Sequence, residues 1–158
     1  MITRVSEALV ADAIVVQPSW TSFGATIEGL VQRLVASGHV PPGLVATAVQ
    51  RVDEREAVAS TAMVDIGVSI PHARLEGIGG IVAALAVAPV AVYQVADRLP
   101  ISIVVLVLSS PSLTGEHLNF LAALSMLLQS AQVRDQLRAG PAADAVLQVI
   151  RRHEHTRG

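Results

Sequence analysis

The chain has 158 residues, 52% of them hydrophobic and 3% aromatic, with a formal net charge of −2. That length supports one domain with a core built mainly from Val, Ile, Leu and Ala, and the charge gives no basic field for nucleic acid. The lack of cysteine removes disulfides, thiolate nucleophiles and cysteine metal sites, and a cation set made only of arginine removes Schiff-base chemistry and a Walker-type phosphate lysine.

Met1 to Glu7 lack the apolar core of a signal peptide, and a cytoplasmic location is expected. Val5 to Leu9 read as a short helical turn, and Ala13 to Gln17 as a buried strand ended by Pro18. Thr21 or Ser22 caps a helix to about Ser37, in which Ile27, Leu30, Val31, Leu34 and Val35 form an amphipathic stripe. Gly38 sits where a C-terminal glycine belongs. Pro41-Pro42 opens a second helix that ends at Arg55 in a polar run.

Ile66 to Ile70 read as a strand cut by Pro71. The uncharged stretch from Gly77 to Ala96 carries glycines, Pro89, Tyr93 and Gln94, which suit a buried strand and a turn. A transmembrane helix needs about 20 strongly apolar residues, so direct membrane insertion is not expected. Ile81 to Val87 and Ile101 to Leu108 are near-continuous apolar runs, the pattern of strands covered on both faces. Thr114 caps a helix from Gly115 to about Gln129, with Leu118, Leu121 and Leu128 on one face. Helices near Ala131 to Arg138 and Ala142 to Arg152 follow, and His153 to Gly158 read as a frayed tail. Alternation of strands and helices predicts a single α/β domain over residues 1–158, a mixed β-sheet flanked by helices.

Five histidines carry the candidate chemistry. His39 reads as an exposed turn residue, and His153 and His155 are too few for a closed metal shell. His72 follows a strand and Pro71, at a strand end where α/β sheets commonly bind ligands. From spacing alone, a structural histidine capping the strand is the commoner alternative. His117 falls near the third residue of its helix if Thr114 is the cap, where free N–H groups favour anions; simple packing in the first turn is the alternative. Arg55 carries a fork suited to a phosphoryl group, or else a solvated charge paired with Glu54 or Glu56.

The ordered set Arg55-Glu56, Ser60-Thr61, Gly67-Val68-Ser69-Ile70-Pro71-His72-Ala73-Arg74, Glu116-His117-Leu118 and Leu121-Ala122 resembles the fructose/mannitol-type enzyme IIA of the bacterial phosphotransferase system. The resemblance includes the nitrogen-regulatory subfamily and runs from about Val5 to Arg152. It implies the family's mixed sheet flanked by helices, with His72 as phosphoryl acceptor. It also implies His117 as a second active-site histidine, Arg55 facing the phosphate and Thr61 in a secondary place. Departures are Asp65, where the family has glycine, and Ser69, where it has alanine.

The implied function is a phosphocarrier that takes a phosphoryl group from phospho-HPr on His72, with nitrogen-type regulation favoured. Arg55, His117 and the helix start near Gly115 and Glu116 would stabilise the charge, with no metal or organic cofactor. Alternatives are a sugar-specific IIA that passes phosphate to a IIB component, and a degenerate binding module that never carries it. A metal-dependent hydrolase using His72 and His117 lacks further ligands. An apolar docking surface for HPr would involve Met63, Leu75 and Ile78.

Overall fold

The computed structural model describes residues 4–156. Its elements in chain order are α1 (Val5–Ala8), β1 (Leu9–Val16), α2 (Phe23–Ala36), α3 (Val45–Val58), β2 (Ala62–Met63), β3 (Val68–Ser69), β4 (His72–Arg74), β5 (Ile81–Val87), β6 (Tyr93–Val95), β7 (Leu99–Ile101), β8 (Ile103–Ser109), α4 (Thr114–Gln129), α5 (Ala131–Ala139) and α6 (Ala143–Thr156). Six strands form one mixed sheet in the order β1-β5-β8-β3-β2, with β4 also on β8. β5 and β8 run antiparallel at its centre, while β1 on one side and β3 and β4 on the other pair parallel.

The central strands are apolar on both faces because both faces are covered. Ile103, Val105 and Val107 pack with Phe120, Leu124 and Leu128 under α4, α5 and α6. Val104, Leu106 and Leu108 pack with Ile27, Leu30, Leu34 and Val52 under α2 and α3. Helix α2 buries the expected stripe at Ile27, Leu30, Val31 and Leu34, with Val35 half-buried. Its cap is Ser22, whose Oγ accepts from the Ala25 N–H.

Several expected boundaries move. β1 starts at Leu9, well before Ala13, and Gln17 lies outside it with φ 51°. Pro42–Leu44 form a 3₁₀ turn, and α3 continues one turn beyond Arg55 to Val58. The expected strand Ile66–Ile70 is only Val68–Ser69, because Ile66 and Gly67 belong to a turn. Pro71 interrupts that strand without ending it: Val68 pairs Ile103 and His72 pairs Val107, one unbroken register along β8. Pro71 donates nothing to the ladder, but its carbonyl accepts from the Val107 N–H. His72 is therefore the first residue of a strand, not a residue beyond one.

Ile101 belongs to β7, in a β6–β7 hairpin that the sequence does not announce. The cap position of α4 is Leu113, with no side-chain cap; Thr114 is the first helical residue, so His117 is the fourth. The buried face of α4 is His117, Phe120, Leu124, Leu127 and Leu128, while Leu118 is 61% exposed. The expected frayed tail is helical through Thr156. Glu154 accepts from the Val5 and Ser6 N–H groups and the Ser6 hydroxyl, which ties α6 to the N-terminus of α1. Arg157 and Gly158, also assigned to that tail, lie outside the described residues.

Candidate functional site

His72 and His117 come together across the join of β4 and α4, with ring centroids 5.6 Å apart. They line a cleft of about 910 Å³, walled by Leu44, Thr47, Arg51 and Arg55 from the α3 side and by Pro111, Leu118 and Leu121 from the α4 side. Arg74 and Glu76 also reach it. Three guanidiniums against one carboxylate make its lining cationic.

The His72 ring is oriented by its own strand. Its Nδ1 lies 2.8 Å from the Ile70 carbonyl oxygen. A carbonyl only accepts, so Nδ1 carries the proton and Nε2 keeps its lone pair. Burial lowers the His72 pKa, the Ile70 carbonyl raises it, and Arg55 lowers it further. The ring is thus held neutral, in the tautomer that leaves Nε2 nucleophilic.

His117 is 5% exposed, and its Nδ1 bonds the Ser109 hydroxyl. Burial first, then the charges of Arg74 and His72, push its pKa down to about 4. Arg55 is half-buried and donates from Nη1 to the Ala59 carbonyl (3.1 Å), which anchors it at the end of α3.

Thr61 lies apart from the cleft lining. Its N–H and hydroxyl both go to the Glu56 carboxylate, and its Oγ1 is 3.3 Å from Ser69 Oγ. Gly115 and Glu116 begin α4 but are not cleft residues either. Asp65 is exposed in a turn at the opposite end of β8, beside Gly67 and Pro100, so it does not face His72.

Leu75 is buried and Met63 and Ile78 are half-buried against the two cores, which leaves little of them for docking. Leu75 lines the His72 cleft all the same, with half-buried Leu44 and Leu121 and exposed Leu118, whereas Met63 and Ile78 are not among its walls. His39 is exposed and bonds Ser37, and His153 bonds Gln136 far along the chain. No group of three or more metal-ligating side chains occurs among the described residues.

Nothing local in the sequence marks Arg51, Arg74 or Ser109 as cleft or support residues. Arg51 stands one helical turn from Arg55, and Arg74 is two strand residues from His72, so periodicity placed both on the right faces.

Residues 7–153 match the family model described as phosphoenolpyruvate-dependent sugar phosphotransferase system, EIIA 2. The chain belongs to this family. The nitrogen regulatory protein of Pseudomonas aeruginosa is 35% identical over 98 residues, 61% of this chain and 62% of that protein. The chain thus spans about six tenths of the curated relative's length.

The nitrogen regulatory protein IIA-Ntr from Neisseria meningitidis superposes with a TM-score of 0.74 at 24% identity, covering 92% of this chain and 98% of that one. Enzyme IIA mannitol of Escherichia coli, solved with phosphorylated enzyme IIB mannitol, gives 0.69 at 18% identity over 90% and 96%. These two structures share the fold. Members of the family are phosphocarriers. No described helix is long and apolar enough to cross a membrane.

Proposed function

We propose that this protein is a cytoplasmic phosphocarrier of the nitrogen-regulatory kind, which accepts a phosphoryl group from phospho-HPr on His72 Nε2. The observation that carries this is the Nδ1–H bond to the Ile70 carbonyl, which leaves Nε2 as the free nitrogen in a cationic cleft. The Nε2 lone pair forms the new N–P bond as the donor's N–P bond breaks. The donor imidazole leaves with that electron pair, and no proton has to move. One N–P bond replaces another, so the transfer is close to isoenergetic and reversible.

The protein's work is positioning and charge stabilisation. Arg55 offers a charge-assisted donor to the phosphoryl oxygens. His117, neutral and bonded at Nδ1 to Ser109, offers an Nε2–H donor when the serine hydroxyl is the donor in their mutual bond. The similarity to the Pseudomonas protein supports regulation by phosphorylation state, with a target protein as the eventual partner. A second reading, transfer to a IIB component, is supported by the mannitol relative's complex with phosphorylated IIB.

The test is incubation with phosphoenolpyruvate, enzyme I and HPr, followed by a search for acid-labile phosphate. Labelling lost in His72→Ala and kept in His39→Ala is expected. No labelling by an active cognate HPr refutes both readings, and discharge onto a IIB protein favours the second.

A further inference from the structure

Of the two cleft cations that the proposed chemistry leaves without a task, Arg51 pairs with Glu54 on its own helix, and Arg74 reaches across to another element. It lies two residues beyond His72 on β4, and residues i and i+2 of a strand share a face. Its Nη2 donates to the Ser110 carbonyl (3.0 Å) and to the Pro111 carbonyl (2.9 Å). These carbonyls open the turn from β8 into α4. The Ser110 carbonyl also accepts from the Leu113 N–H, and the Leu113 carbonyl accepts from the His117 N–H at 2.8 Å.

A short chain of hydrogen bonds therefore runs from Arg74 to the backbone of His117. Arg74 also pairs in register with Ser109, whose hydroxyl holds the His117 ring. Its buried Nε has no hydrogen-bond partner among the described residues. Such an orphan donor is costly and calls for an explanation.

We propose that Arg74 is a positioning residue of the phosphoryl-transfer site, clamping the Ser110–Leu113 turn so that His117 stays against His72. The role deepens the phosphocarrier reading and rests on it. An arginine suits the task because its planar fork can hold several acceptors in a fixed direction, whereas lysine is a flexible point charge. After burial, its charge bears on His117 together with that of His72 on the same strand; Arg55 and Glu76 line the same cleft, and Glu116 precedes His117 on α4. Burial and then Arg74 keep His117 uncharged, the form in which it donates from Nε2.

The experiment uses Arg74→Gln and Arg74→Lys in the full chain, with two readouts. One is the titration of the His117 ring nitrogens by NMR in the unphosphorylated protein, with exposed His39 as the internal control. The other is the rate of phosphoryl transfer from phospho-HPr. In Arg74→Gln the His117 midpoint should rise from about 4, and transfer should slow by roughly 10- to 100-fold, the usual scale for a misplaced site group. Arg74→Lys should bring both part of the way back.

An unmoved His117 midpoint with a wild-type transfer rate in Arg74→Gln overturns the proposal. Arg74→Met, which keeps the aliphatic stem, takes its place if that variant fails to fold. Should the wild type take up no phosphoryl group, the phosphocarrier reading falls and this role falls with it; a labelled wild type with an unslowed Arg74→Gln overturns the positioning role alone.

Discussion

The depressed pKa of His117 makes the fold itself sensitive to acid. In the native chain the ring stays neutral down to about pH 4, because burial and then the charges of Arg74 and His72 oppose protonation. In the unfolded chain a histidine protonates near pH 6.5. Between those values the unfolded state binds more protons, so stability is lost as pH falls through 6.5 and levels off below about 4. At 1.36 kcal/mol per pH unit the ceiling is about 3 kcal/mol; solvent at the cleft mouth reduces this to roughly 1–2 kcal/mol. His72, whose pKa burial also lowers, acts in the same direction. The perturbation is His117→Gln, whose amide can still bond Ser109 but does not titrate. Urea unfolding of both proteins at about pH 7 and about pH 4.5 isolates the effect, since the carboxylates are common to both. The wild type should lose roughly 1–2 kcal/mol more than the variant over that interval. Parallel losses, or a His117 NMR midpoint near 6.5, would refute the reasoning.

Asp65→Asn should leave the phosphoryl-transfer rate unchanged, because Asp65 is exposed at the far end of β8 from His72; a marked acceleration would put that carboxylate in the site. Gly29→Ala drives a Cβ into the Trp20 indole at Cζ2, and the helix-propensity gain of about 1 kcal/mol does not offset displacement of the ring. A net loss of about 1 kcal/mol and a red-shifted tryptophan emission are expected, and a more stable variant with unchanged emission would count against that packing. Phe120→Ala removes a fully buried ring beneath α4 and should cost about 3–5 kcal/mol by urea denaturation, whereas a loss under about 1 kcal/mol would mean that the core closes over the cavity.

Much of the fold is written in local periodicity. The α2 stripe and the unbroken apolar runs of β5 and β8 each have one physical reading, a helix face or a strand covered on both sides. Other elements depend on what a distant segment supplies. The β6–β7 hairpin turns through Ala96-Asp97-Arg98, where Asp97 (φ 62°) suits the left-handed region but Arg98 (φ 60°) stands where turn rules expect glycine, asparagine or aspartate. β7 also contains Pro100, which argues against a strand until its edge position is seen. Pro71 looks like a terminator because it lacks an N–H. Only the presence of β8 beyond it shows that the ladder resumes at His72.

The site shows the same division. His72, His117 and Arg55 are recognisable because their motifs are local, while the departures Asp65 and Ser69 are harmless or harmful only according to where the strand turns them. Asp65 is carried to the other end of the sheet. Ser69 is 1% exposed and shares the sheet face of Ala73 and Leu75, whereas Val68, Ile70 and His72 alternate to the face toward α4. Its hydroxyl meets Thr61, which the Glu56 carboxylate holds. A serine that would intrude as an extra polar group beside His72 instead completes a part-buried polar chain on the reverse side of the strand. Neither Asp65 nor Ser69 lines the cleft that holds His72. The grip of Arg74 on the turn before α4 joins chain segments 36 residues apart, which no local pattern announces.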